Sequence, residues 1–217
     1  MPAYRIVPGS TAMLFFDCLK SGLRPEDPVL RAKIDESGYI PTLQRIERAC
    51  RAAGIVIFYT QIDHRLDLQD IAPQLVDLDK AGNKRDEPFV MAETAATPGT
   101  WKNEIIDEIS PQPQDYVIRK QRWSAFYQTN FELHLRRNKI DTLMIAGGNT
   151  EIGVASTAYA ARDRDYNVIV LSDACRSRRA GTTEFLVDRI FPIFSRVMTV
   201  DDAIAQFDVP QQASLTR

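Results

Sequence analysis

Residues 141–173 decide how this chain folds: DTLMIAGG (141–148), NTEIGVASTAYAARDRDY (149–166) and NVIVLSD (167–173). The outer pieces are apolar runs of strand length, rich in Ile, Leu and Val. The middle piece is rich in small residues, with Val154, Ala158 and Ala161 at helical spacing and alanines suited to close packing on a sheet. Strand, helix, strand is the unit of a parallel sheet, joined by a right-handed crossover. Gly147 and Gly148 permit unusual backbone at the turn, and Thr150 reads as the N-cap of the helix. The first helical turn then offers N–H groups that bind an oxyanion or carboxylate, unless this is an ordinary strand-to-helix connection.

The alternation continues outward. TAMLFFD (11–17), IVIFYT (55–60), DYVIRK (115–120) and FSRVMTV (194–200) are further runs of strand length. PTLQRIERACRAAG (41–54) places Leu43, Ile46, Cys50 and Ala53 on one helical face, with Pro41 in a first turn and Gly54 at the end. Residues 126–138 read as a helix with Phe131 and Leu135 on one face and Arg136, Arg137 and Lys139 near its dipole-favoured end. Segments at 182–191 and 201–207 complete the helices. The expectation is one α/β domain over 1–217, a three-layer α/β/α sandwich around a six-stranded, mostly parallel sheet. Residues 66–99 break the rhythm; they are polar and contain proline, and read as an excursion covering a site or making a subunit contact.

Composition narrows the function classes. Of 217 residues, 44% are hydrophobic and 26% charged, the proportions of a globular chain. Lys plus Arg number 27 against 29 Asp plus Glu, so a near-neutral surface gives no electrostatic case for nucleic acid or an anionic membrane. Cys18, Cys50 and Cys175 are odd in number and form no CxxC pair, which reads as reduced thiols in a cytoplasmic protein. There is no signal-peptide pattern at MPAYRIVPGS and no apolar run of membrane-spanning length.

Ligands of an open parallel sheet bind beyond the carboxyl ends of its strands. The residues expected there are Asp17, then Thr60 and Gln61, then Lys120, the GGNT turn (147–150) and Asp173. Asp17 and Lys120 brought to one edge form either a proton-passing pair or a plain ion pair at a strand end.

These residues resemble the isochorismatase-like hydrolases, often called cysteine hydrolases, over nearly the whole chain. LFFDCLK around Asp17 stands where that family shows an aliphatic run, Asp and then Met-Gln. Lys120, Ser124, Ala125 and Phe126 match its Lys-x-x-x-Ser-Ala-Phe block, and Gly147, Thr150 and Val154 match its Gly-x-x-Thr-x-x-Cys-Val block. The resemblance implies strand order 3-2-1-4-5-6 and a triad of Asp17, Lys120 and a cysteine. It also implies a cis peptide in the turn before the helix, here at Gly148–Asn149, with that turn and the helix N-terminus supplying backbone donors. In thiol members the Asp accepts the cysteine proton, the Lys steadies the charge, and the thiolate forms an acyl-enzyme with an amide or imide.

The cysteine position falls on Gly153, which has no nucleophile. Cys18 faces away from a cleft that Asp17 faces, Cys50 lies on an apolar helix face, and Cys175 has no precedent in the family. Two explanations stand. Gly153 is natural, as in isochorismatases proper, where the Asp protonates a vinyl ether and water completes hydrolysis; or a cysteine has been removed from a thiol amidohydrolase. A ligand-binding pseudoenzyme is a third reading, against which a retained buried charged pair argues. The family's nicotinamidase branch binds zinc, but His64 and His134 are the only histidines, and His134 is expected at solvent, so no metal and no cofactor are expected. Gln61, His64 and Trp123 are the expected substrate contacts, with Gly148, Asn149 and Thr150 of the turn. The expected partners are a small-molecule substrate and a second copy of the chain, as a homodimer or homotetramer.

Overall fold

The computed structural model describes residues 5–65, 70 and 98–208. Six strands form one sheet: β1 (Thr11–Phe16), β2 (Val56–Ile62), β3 (Tyr116–Lys120), β4 (Thr142–Gly148), β5 (Asn167–Arg176) and β6 (Arg196–Met198). Their order is β3-β2-β1-β4-β5-β6 and every pairing is parallel, in agreement with the expected topology. The helices are α1 (Lys20–Leu23), α2 (Pro28–Glu36), α3 (Tyr39–Ala53), α4 (Phe131–Arg137), α5 (Ala155–Arg162), α6 (Thr182–Phe185) and α7 (Val200–Ala205). Among the described residues, no helix is long and apolar enough to cross a membrane. The expected excursion at 66–99 lies, apart from Asp70 and residues 98–99, outside the described residues.

Alternation along the strands builds two cores. Met13, Phe15, Ile57, Tyr59, Met144 and Ile169 pack with Leu43, Ile46 and Cys50 of α3 and with Val200 and Ala203 of α7. Ala12, Leu14, Phe16, Phe58, Ile145 and Val170 pack with Phe131 and Leu135 of α4 and with Val154, Ala158 and Ala161 around α5. Burial on both faces explains why TAMLFF is a continuous apolar run: all six residues of β1 are buried.

Several boundaries differ from the sequence reading. β2 runs two residues past Thr60, so Thr60 and Gln61 lie inside the strand. β5 runs to Arg176, so Asp173 does not end it; the Asp173 carboxylate instead accepts from the Val200 amide at 2.9 Å. Pairing with β4 and β6 outweighs the polarity of these residues. The helix expected from residue 126 begins at Phe131. Two early helices add to those read from the sequence. α1 has only four residues, and α2 buries Ile34 alone, so its pattern is faint; its start is signalled by Asp27, whose carboxylate accepts from the Val29 and Leu30 amides, and by Pro28.

Two local devices aim the strand ends. Arg51 of α3 donates to both Asp115 carboxylate oxygens, at 3.1 and 2.7 Å, and to Glu47, clamping the start of the strand that carries Lys120. Between Ile145 and Gly147 the β4–β5 register shifts, so that Ile145 faces Val170 but Gly147 faces Cys175. Gly147 has φ +119° and lies against Phe16 of β1; a Cβ there would stand 2.1 Å from the Phe16 carbonyl oxygen. Gly147→Ala is therefore expected to cost about 2–4 kcal/mol of stability, from left-handed backbone and a backbone clash together. Urea denaturation of the variant checks this, and a loss below about 1 kcal/mol contradicts it.

Candidate active site

The carboxyl ends of β1 to β5 surround a cleft of about 340 Å³. Asp17 follows β1 directly with φ +44°, a conformation that turns the chain out of the strand. Thr60 of β2 holds it twice: its hydroxyl accepts from the Asp17 amide at 2.9 Å and donates to the carboxylate at 2.6 Å. Lys120, the last residue of β3, donates from Nζ to the other carboxylate oxygen at 2.8 Å. The Lys120 side chain is 4% exposed and that of Asp17 13%, so this ion pair is screened little by solvent. The Lys120 ammonium also lies 4.6 Å from the centre of the Phe16 ring.

The opposite wall is the end of β4 and the turn that leads into α5. The Gly148–Asn149 peptide is cis, and both residues line the cleft with Ile152 and Gly153. Residues Thr150–Val154 form a wide π turn before α5, not a regular helical start. The amides of Ile152, Gly153 and Val154 all donate back to the Asn149 carbonyl, at 3.2, 3.1 and 3.3 Å. The helix start therefore does not present these three donors to a ligand, contrary to the sequence reading. The N-cap is Asn149, without a side-chain bond, and Thr150 stands one position inside. Thr150 is fully buried and its hydroxyl pairs with that of Thr183 at 2.9 Å, so it does not line the cleft.

The isochorismatase domain matches residues 11–202 of this sequence. The chain belongs to the isochorismatase family. A ureidoacrylate amidohydrolase of Pseudomonas syringae is 30% identical over 220 aligned residues, spanning 97% of this chain and 89% of that protein. An N-carbamoylsarcosine amidase of an Arthrobacter species is 31% identical over 173 residues, 80% of this chain and 62% of that protein. The solved structure of an isochorismatase-like hydrolase from Alkaliphilus metalliredigens superposes with a TM-score of 0.69 at 30% identity, over 90% of this chain and 98% of that one.

Within this isochorismatase-family cleft, seven of the residues singled out in the sequence stand together: Asp17, Lys120, Gly153, His64, Trp123, Gly148 and Asn149. Trp123 is 62% exposed, a rim rather than a packed wall. His64 faces Asp70 at 3.4 Å. Gln61 does not line the cleft: its amide donates to the Asn103 carbonyl at 2.8 Å, and Asn103 donates in turn to the Ile62 carbonyl at 2.7 Å. His134 is half-buried and packs on Tyr116 with ring centres 4.6 Å apart, where solvent exposure was expected. Among the described residues, no three His, Cys, Asp or Glu side chains cluster as metal ligands do.

Phe16 is a cleft residue that sequence reasoning misses, because its apolar run marks it as core. Arg176, the last residue of β5, and Arg178 just beyond it are missed as well. The basic run RSRR (176–179), just past an apolar strand, is the available signal. With Arg122 and Lys120 they set four cationic side chains against one carboxylate, Asp17, among the described lining residues.

All three cysteines are buried free thiols. Burial pushes the Cys18 and Cys50 thiols far up, with the neighbouring Asp17 charge adding to the effect at Cys18 and the Glu47 charge at Cys50. Burial, with the Asp173 charge adding, raises Cys175 to about 12. At pH 8 a thiol of that kind is thiolate in roughly one molecule in ten thousand. Native protein at pH 8 should leave all three cysteines unmodified by iodoacetamide under conditions that fully label the urea-unfolded chain. Mass spectrometry of the labelled protein checks this; rapid native labelling of Cys18 overturns it.

Proposed function

We propose that this isochorismatase-family protein hydrolyses a C–N bond of a small anionic ureido or amide compound, with Asp17 directing a water molecule in place of a cysteine nucleophile. The observation that carries this reading is the half-buried Lys120–Asp17 pair at 2.8 Å opening onto a cleft in which position 153 is glycine. Lys120 and Thr60 both donate to the carboxylate, an arrangement suited to a proton acceptor. In the reaction, Asp17 takes a proton from water while the water oxygen bonds to the substrate carbonyl carbon. The carbonyl π electrons move to oxygen, and collapse of that intermediate breaks the C–N bond. The departing nitrogen receives the proton from Asp17. Lys120 offsets negative charge beside Asp17 throughout.

The substrate class draws support from charge and kinship. The rim arginines Arg122, Arg176 and Arg178 favour an anion, and guanidinium groups recognise carboxylates by paired hydrogen bonds. Ureidoacrylate and N-carbamoylsarcosine, after which two of the relatives are named, each combine a carboxylate with a ureido carbonyl. A second reading keeps the same residues. In it, Asp17 gives a proton to a vinyl-ether carbon and water attacks the resulting cation, which Gly153 favours because neither step needs a covalent nucleophile.

Release of ammonia or amine from ureidoacrylate and N-carbamoylsarcosine, beside hydrolysis of a carboxylated vinyl ether, separates the two. Turnover of a ureido compound is expected, and Asp17→Asn or Lys120→Met should lower kcat/KM by about 10³-fold with the fold intact by circular dichroism. Hydrolysis of the vinyl ether alone selects the second reading. Full activity in Asp17→Asn sinks both.

A further inference from the structure

Phe16 closes β1, belongs to the α5-side core at 1% exposure, and lines the floor of the cleft. A Cβ built on Gly153 would stand 2.0 Å from Phe16 Cε1, 2.4 Å from Cζ and 2.9 Å from Cδ1. Three atoms of one ring edge thus occupy the point where any side chain at 153 has to begin, well inside the separation at which carbon atoms attract. The ring is packed on its core side. It shares a core with Leu14, Val154 and Ala158, and its main chain is pinned where Gly147 passes against the Phe16 carbonyl. The face of the same ring carries the Lys120 ammonium at 4.6 Å, while that ammonium donates to Asp17.

We propose that Phe16 is a positioning residue of this site: its ring takes the place of a residue-153 side chain and, by carrying the Lys120 ammonium on its face, holds that group against Asp17. The role in turnover rests on the reading of Asp17 and Lys120 as the proton-handling pair; the packing relation to Gly153 does not. Glycine at 153 then belongs to the design of the floor. A thiol enzyme that had merely lost its cysteine side chain would hold a void at this point, because surroundings collapse only partly into a truncation. Here the space is filled by a residue from β1, so positions 16 and 153 form a matched pair. Gly153→Cys alone is not expected to restore thiol chemistry.

The test has two arms, on the full chain. The first is a stability cycle that needs no substrate. Gly153→Cys should lower Tm by about 5 °C or more or abolish folding. Phe16→Ala/Gly153→Cys should be more stable than the sum of the single losses allows, and should fold even if Gly153→Cys does not. Additive losses, a Gly153→Cys chain as stable as the parent, or a double variant that does not fold overturns the packing relation. The second arm is the steady-state kinetics of Phe16→Leu on whichever ureido or vinyl-ether compound the parent turns over. Leucine keeps an apolar side chain at the floor but offers the Lys120 ammonium no aromatic face, so kcat should fall about tenfold with little change in KM. A lower Tm with an unchanged kcat overturns the positioning role. If the parent turns over none of the compounds, the functional reading fails on its own while the stability cycle still decides the packing relation.

Discussion

Among the described residues, three places have no room for a side chain, and the architecture of the cleft depends on them. At Gly147 the missing Cβ would meet the Phe16 carbonyl, at Gly148 the Arg176 carbonyl, and at Gly153 the Phe16 ring. β4 can therefore approach β1 closely, and its end can turn beside the tip of β5 into the wall of the site. The register shift after Ile145 belongs to the same constraint, since it brings Cys175 and Arg176 opposite the two glycines. A Cβ at either strand position would meet main chain, which cannot rotate away as a side-chain tip can.

Against that wall stands a charged pair in a mostly apolar surround. An ion pair this sheltered stabilises the fold little on balance, because desolvation offsets the attraction, yet losing one partner leaves a buried charge uncompensated. The polar groups around it are correspondingly well matched. Thr60 uses one hydroxyl both to fix the Asp17 main chain and to donate to its carboxylate, which also sustains a positive φ at a residue other than glycine. Phe16 and Asp17, adjacent in sequence, address the same lysine from two directions, one by its ring face and one by its charge.

That arrangement bears on the proposal that hydrolysis here proceeds without a thiol nucleophile. The cysteines the chain retains are held as buried neutral thiols, and the one beside Asp17 in sequence is pushed further from ionisation by that carboxylate. A water-based reaction instead needs a proton acceptor, a cation to steady it and a cleft that favours anions, and these groups stand at the carboxyl ends of β1, β3 and β5.

Much of this was legible in the order of residues. Strand-length apolar runs separated by helical periodicity determine a parallel sheet, because only a crossover helix can return the chain to start another parallel strand. A carboxylate and a lysine at the ends of two such runs determine that both stand at the ligand-binding edge. Where the sequence reading strayed, local pattern met a competitor from elsewhere in the chain. Gln61 looked like a ligand contact until Asn103, far along the chain, took its amide. Thr150 looked like a helix cap until Thr183 claimed its hydroxyl. Phe16 was legible only as core, since nothing in an apolar run says that its last ring will lie under an ammonium and over a glycine from a distant part of the chain. The sequence by itself determined which elements form and which chemical groups reach the cleft edge, because periodicity and strand ends are local properties. The tertiary structure alone decided which of those groups meet and which space is already filled, because close packing is settled between residues that the chain brings together only on folding.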